Sequence, residues 1–313
     1  MVYWCVQEAV LSTKDFLSVA DVSPEGLRGL IESAISMKAA RWSQALRQKL
    51  LVLVFEKPSN RTRVSFDAGM NELGGHCIYL SPDEVRMGTR ETPRDVALVL
   101  SRYAHGIAAR TFEHRTVEEL AEHAAIPVIN ALSGLEHPCQ ALADLMTIAE
   151  HKGDLTGLTV AYVGDGNNCA NSLMLACAMS GADFRIASPA GYRVSDDMLA
   201  KANTYAAASG ATVTCLKDPA KAVRGADAVY TDVWTSMGQE TEAQERRKAF
   251  KGYQVTAKLM EQANKDAVLL HPLPAHHGEE VEEGLIYGRQ SVVFDQAENR
   301  LHAQKALLVK LLA

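Results

Sequence analysis

From Leu50 onward, short apolar runs of strand length alternate with longer stretches of helical spacing, and no other feature limits the fold so sharply. The runs occupy 50–55, 77–80, 106–109 and 127–130, then 158–163, 183–187, 212–215, 228–231, 267–270 and 291–294. Between them apolar residues recur at the helical period, as in Val96-Val99-Leu100-Tyr103 and Leu173-Cys177. Strand–helix alternation predicts parallel sheets with helices on both faces, an α/β chain. About four strands precede residue 135 and about six follow residue 157. With 313 residues, this predicts two doubly wound domains. The segment 138–152, with Pro138 at its first position and Gly153 past its end, reads as a connecting helix. A second amphipathic helix, 296–312, is expected to pack back on the first domain.

Composition narrows the chemistry. Lys plus Arg number 32 against 38 for Asp plus Glu, a formal net charge of -6. A mildly acidic chain is a poor nucleic-acid binder, so any anion it takes must meet a local basic site. No apolar stretch approaches the ~18 residues a membrane span needs. Residues 1–11 lack a basic stretch and a small-residue cleavage site, and Glu8 interrupts them, so no export signal is expected. Six cysteines (Cys5, Cys77, Cys139, Cys169, Cys177, Cys215) are scattered without a CxxC pair, which suits a reducing compartment and points to the cytoplasm.

Ligands of such folds sit at the carboxyl ends of strands. The run 50–55 is followed by Glu56-Lys57-Pro58-Ser59-Asn60-Arg61-Thr62-Arg63 and then by helical periodicity. A helix start offers free N–H groups and the positive end of its dipole, to which the hydroxyls and guanidinium groups add charge-assisted bonds. This is a cradle for an oxyanion such as phosphate. Arg110 also follows a strand run, 106–109. His137 and Gln140, three apart at the start of 138–152, share one face and present a ring N–H and an amide to one small polar group.

The second half offers different groups. Gly164-Asp165-Gly166-Asn167-Asn168 follows the run 158–163, but Cys169 holds the third glycine position of a dinucleotide fingerprint and no acidic residue closes the next strand. Asn167 and Asn168 can donate amide hydrogens to a carboxylate. After 228–231 comes Asp232-Val233-Trp234-Thr235-Ser236-Met237-Gly238, in which Asp232 and Ser236 can hold an ammonium group and the Met237 N–H can reach a carboxylate. His271-Pro272-Leu273-Pro274 follows another strand, and carbonyl oxygens around Pro272 and Leu273 can accept hydrogen bonds from an amine. His276 and His277 are adjacent and point apart, and no third ligand is suitably spaced, so no metal is expected.

These strings resemble the aspartate/ornithine carbamoyltransferase family from about residue 12 to the end of the chain. Ser59-Asn60-Arg61-Thr62-Arg63 matches its Ser-Thr-Arg-Thr-Arg loop except at Asn60, and His137-Pro138-Cys139-Gln140 matches residue for residue. Asp232 with Ser236-Met237-Gly238 resembles the ornithine branch, where the aspartate branch carries basic residues; Pro272 departs from that branch's His-Cys-Leu-Pro. The resemblance implies a carbamoyl-phosphate site made of Ser59, Asn60, Arg61, Thr62, Arg63, Arg110, His137, Gln140 and Arg300. Arg110, His137, Thr62 and Arg300 would surround the carbonyl oxygen, and Gln140 would hold the carbamoyl amine. Arg86 lies in the segment 81–91, which in relatives crosses into a neighbouring subunit; it reads either as a further phosphate contact or as an exposed arginine. Ornithine would be held by Asn168, Asp232, Ser236, Met237, Pro272 and Leu273.

The resemblance further implies a carbamoyl-phosphate domain over 1–137 completed by 296–313, a connecting helix at 138–152 and an ornithine domain over 153–295. It implies a homotrimer, alone or in a higher assembly of trimers, with no cofactor, no metal, no nucleic acid and no membrane. The expected reaction is attack of the δ-amine of L-ornithine on carbamoyl phosphate, giving L-citrulline and phosphate. Other readings are a carbamoyltransferase for another amine such as putrescine or a modified ornithine, a Rossmann-type oxidoreductase, and a non-catalytic paralogue.

Overall fold

The computed structural model describes residues 14–236 and 238–313. The stretch read for an export signal, Cys5 and Met237 lie outside the described residues. The chain divides into two compact units, the first running to Met146 and including Glu298–Ala313, the second covering Thr147–Ala297. Both boundaries fall inside helices, Pro138–Lys152 and Val293–Leu312.

In the first unit, β1 (Leu50–Phe55), β2 (His76–Leu80), β3 (Gly106–Arg110) and β4 (Val128–Leu132) form a parallel sheet in the order β2-β1-β3-β4. The run Leu50–Phe55 is apolar throughout and buried from Leu51 on, as a central strand covered on both faces must be. Chain progression reverses between β1 and β3, so their carboxyl ends border the crevice where ligands of such sheets bind. Phe55 pairs with Arg110, and the Glu56 N–H donates to the Arg110 carbonyl at 2.8 Å, which sets the two strand ends side by side. The C-terminal helix is tied to this unit by Lys305, fully buried, whose ammonium donates to Glu72 at 2.8 Å and to the Arg41 carbonyl. Burial would raise the Glu72 carboxyl, but hydrogen bonds from Lys305 and Arg41 outweigh it and hold it below the usual range.

The second unit carries β5 (Thr159–Val163), β6 (Asp183–Ala187), β7 (Val213–Leu216), β8 (Ala228–Tyr230) and β9 (Val268–Leu270), all parallel in the order β7-β6-β5-β8-β9. Here the order reverses between β5 and β8, which makes the turns after those two strands the corresponding crevice.

The expected tenth strand at 291–294 does not form. Ser291 makes a single parallel bridge to Leu269, and Val293 already begins the 20-residue C-terminal helix. A short apolar run has no period long enough to tell a strand from a helix start, and here the buried Val293 beside the exposed Phe294 belongs to an amphipathic helix. The second sheet therefore has five strands, not six. The helical spacing at Leu173-Cys177 belongs to the helix Asn168–Ser180. The segment 81–91 contains the short helix Pro82–Val85. Among the described residues no helix is long and apolar enough to cross a membrane.

Candidate active site

In the first unit the helix Asn60–Glu72 begins directly after β1. Ser59 is its N-cap, with Oγ 3.4 Å from the Thr62 N–H and 3.1 Å from the Thr62 hydroxyl. A serine N-cap satisfies one of the four donors that a helix start leaves open, and the others remain directed past the strand end. Thr62 is buried, whereas Asn60, Arg61 and Arg63 are exposed. Arg300, from the C-terminal helix, donates through Nη1 to the Gln140 amide oxygen at 2.7 Å and lies 3.4 Å through Nη2 from the Thr62 hydroxyl. Gln140 in turn donates its Nε2 to Asp144 at 2.8 Å. That chain sets the amide's orientation, because only the oxygen can face a guanidinium. Residues 238 and 160 positions apart from Arg300 are thus brought into one buried row.

His137 sits one residue before the helix Pro138–Lys152 and is buried. The turn that presents it is pinned by Glu136, whose carboxylate accepts from the Ser18 hydroxyl at 2.6 Å and the Val19 N–H at 3.2 Å. Burial, then the charges of Arg300, Arg110, Lys57 and Arg61, hold the His137 imidazole well below its usual range. It is therefore a neutral ring at pH 7, able to donate an N–H without carrying a proton to give away. The electrostatic coupling also places Arg110 and Arg61 near His137. Arg63 goes elsewhere, its guanidinium stacked 4.1 Å above the Tyr79 ring on β2. Arg86 is exposed, and its Nε donates to the Asp83 carbonyl at 3.1 Å.

Sequence reasoning passed over Lys57. It is buried at the end of β1, its ammonium 4.7 Å above the Phe112 ring, and burial followed by the Arg110 charge pushes it down to about 8. Its position directly after a strand run was the available signal.

In the second unit, Asn167 caps the helix Asn168–Ser180, accepting from the Cys169 and Ala170 N–H groups at 3.0 and 3.1 Å. Its Nδ2 donates to Asp232 at 2.8 Å, and its Oδ1 is 3.2 Å from the Tyr162 hydroxyl. Tyr162 on β5 stacks on Tyr230 on β8 at 5.4 Å. Asn167, read from sequence only as an amide donor to a carboxylate, is thus the link between the turn after β5 and Asp232 after β8. Asn168 is the first residue of that helix, with Oδ1 3.0 Å from the Cys169 N–H. The turn is close-packed: a Cβ on Gly166 would stand 2.2 Å from the Val194 nitrogen, so only glycine fits. Ser236 is half-buried, its N–H donating to the Gln239 side chain at 3.0 Å.

The 271–274 turn is held by a fully buried pair. His271 Nδ1 accepts the Leu273 N–H at 2.9 Å, so the ring's proton is on Nε2, which donates to Glu280 at 3.0 Å. Leu273 adopts φ +57 and, with Pro272, is half-buried. His276 contributes its N–H to Glu280 at 2.6 Å, and His277 stacks on Tyr287. Among the described residues no cluster of His, Cys, Asp and Glu has metal-ligand geometry.

Two strand-end groups result, one cationic with a neutral imidazole, the other carrying Asp232 and two asparagines. Residues 14–150 match the aspartate/ornithine carbamoyltransferase carbamoyl-P binding domain, and residues 156–311 match the Asp/Orn binding domain. The ornithine carbamoyltransferase of Anoxybacillus flavithermus is 53% identical over 306 residues, covering 96% of this chain and 98% of its own; that of Bacillus subtilis is 52% identical over 307, covering 98% and 96%. The solved structure of ornithine carbamoyltransferase from Pyrococcus furiosus superposes with a TM-score of 0.94 at 48% identity, covering 97% of this chain and 98% of its own. With both family domains matched in order and full-length relatives near half identity, the chain belongs to the aspartate/ornithine carbamoyltransferase family.

Proposed function

We propose that this chain transfers the carbamoyl group of carbamoyl phosphate to the δ-amine of L-ornithine, giving L-citrulline and phosphate. The observation that carries the reading is the buried row Thr62–Arg300–Gln140 beside a neutral His137 at the switch point of a sheet that belongs to the carbamoyl-P binding domain. Ser59, Asn60, Arg61, Thr62 and Arg63 take the phosphate with the N–H groups of the helix start, and Arg110 bridges phosphate and carbonyl oxygen. His137, Arg300 and Thr62 donate to the carbonyl oxygen, where negative charge grows as the amine attacks. Gln140, its amide oriented by Asp144, offers its oxygen to the carbamoyl NH2. In the second unit Asp232 and Ser236 hold the ornithine ammonium, Asn168 and the Met237 N–H its carboxylate, and the Pro272 and Leu273 carbonyls the δ-amine.

The step forms the N–C bond and breaks the C–O bond to phosphate, and the leaving phosphate, itself basic, takes the amine proton. No side-chain base is required. Preorganised donors are each worth about 3 kcal/mol of barrier in such sites, and alignment of the two reactants contributes on the order of 7 kcal/mol. The same reading divides the chain into a carbamoyl-phosphate domain, 1–137 with 296–313, a connector at 138–152 and an ornithine domain at 153–295. It takes the protein as cytoplasmic, in keeping with the free cysteines Cys77, Cys139, Cys169, Cys177 and Cys215. It also takes it as a homotrimer in which Arg86 serves a neighbour's site. Exposed Ile78 on the edge strand β2, with Val64, Leu98, Val99 and Tyr103 in the same unit, supports self-association.

The test is a citrulline colour assay with carbamoyl phosphate and a panel of amines. Turnover of L-ornithine well above putrescine and N-modified ornithines is expected; turnover of another amine in preference to ornithine removes the reading.

A further inference from the structure

Arg246, on the helix Ala243–Ala249, touches none of the groups assigned above to a substrate, yet it is buried and holds an unusual number of partners. Its Nη1 donates to Asp165 at 2.8 Å and to the Trp234 carbonyl at 3.0 Å, and its Nε donates to Glu242 at 3.1 Å. Its guanidinium lies 5.0 Å from the centre of the Tyr192 ring, and Phe250 packs against both Tyr192 and Trp234. Asp165 belongs to the turn after β5 that carries Asn167 and Asn168, and Trp234 lies midway between Asp232 and Ser236. One terminal guanidinium nitrogen therefore joins both sides of the crevice in the second unit, while Glu242 and the Tyr192 ring hold the rest of the plane, and a lysine would lack that plane and its second anchor.

We infer that Arg246 is a positioning residue for the amino-acid acceptor: by clamping the Asp165 carboxylate to the Trp234 carbonyl, it holds Asn168 and the segment 232–236 in the arrangement that binds ornithine. The inference rests on the reading of this unit as the ornithine-binding one. The clamp is sensitive to pH. Burial raises the Asp165 carboxyl to about 6 against the pull of Arg246, and the charges of Asp232 after β8 and Glu242 before the helix add to the rise. Arg246 is the cation among these groups, so protonation of Asp165 removes half of the ion pair. Because the folded-state value lies above the ordinary 3.8, folding favours the protonated form, and through this group stability falls as pH climbs from 3.8 to about 6. Mild acid thus loosens the clamp without unfolding the protein through it.

The experiment uses the full chain with Arg246→Lys and Asp165→Asn. Both variants are expected to raise the KM for ornithine about tenfold, with kcat and the KM for carbamoyl phosphate changed far less. Norvaline, which is ornithine without its δ-amine and does not titrate between pH 5.5 and 7, reports the clamp directly. Its affinity for the wild type falls about fourfold as pH drops from 7 to 5.5, as the ionised fraction of a carboxyl titrating near 6 does, and stays flat in Asp165→Asn. Should Arg246→Lys fail to fold, Asp165→Asn, which keeps the guanidinium, carries the same test. An unchanged KM in folded variants, or a flat norvaline profile in the wild type, overturns the inference and leaves the ornithine reading standing. Wild-type protein that forms no citrulline overturns that reading, and the inference with it.

Discussion

The two units solve the same architectural problem with opposite charge. Each is a parallel sheet whose strand order reverses at one point, β1/β3 in the first and β5/β8 in the second, and each places a helix start beside that point. In the first unit the residues at and after the strand ends are Lys57, Arg61 and Arg110, joined by Arg300, and burial together with these charges keeps His137 neutral. In the second they are Asp165, Asn167 and Asp232, balanced by Arg246. Backbone geometry makes both crevices ready for a ligand; on the proposed reading, the side chains at the strand ends decide that one takes a dianion and the other an ammonium. The fold alone does not assign the chemistry.

This contrast can be broken most forcefully in the first unit. His137→Ala removes a donor to the developing oxyanion and is expected to lower kcat roughly 100- to 1,000-fold with a smaller change in the KM for ornithine. Steady-state kinetics with kcat intact would take His137 out of the mechanism. Asp232→Ala strikes the second unit and should raise the KM for ornithine by roughly one to two powers of ten, the worth of a charge-assisted bond, while carbamoyl-phosphate affinity holds. A loss confined to kcat would contradict the assignment.

Lys57 sharpens the comparison through pH. Its charge is present below about 8 and lost above it, so donor affinity measured by calorimetry should weaken about threefold to tenfold between pH 7 and 9, and Lys57→Met should abolish that slope. Folding disfavours the charged form here, so through this group stability rises as pH climbs from about 8 to 10.5. Weaker donor binding alongside higher stability separates the electrostatic role from a structural one. The smallest effect belongs to Arg86→Ala: on the proposed homotrimeric reading, a few-fold rise in the KM for carbamoyl phosphate. Sedimentation of a fully active 34.0 kDa monomer would remove that role.

Much of this was legible in the sequence because the strands that build the sites are central ones. Leu50–Phe55 and Thr159–Val163 are buried on both faces and so nearly uninterrupted in their apolar character, and the polar strings after them stand out. The run at 291–294 misled because three apolar residues at a helix start look like a strand edge. The role of Lys57 and the partner of Asn167 were not legible for another reason. Their importance lies in what they meet far along the chain, Phe112 and Arg110 for one and Asp232 for the other, and no local period encodes such meetings. The same holds for Arg246, which in isolation reads as a helix surface residue among Arg247 and Lys248.

Calorimetric titration of carbamoyl phosphate, without ornithine, into the wild type, Arg110→Ala and Asp232→Ala tests the division of labour most directly. Binding to the wild type and Asp232→Ala with comparable affinity, and its loss in Arg110→Ala, is the predicted pattern. Equal binding to all three proteins, or none to the folded wild type, would contradict it.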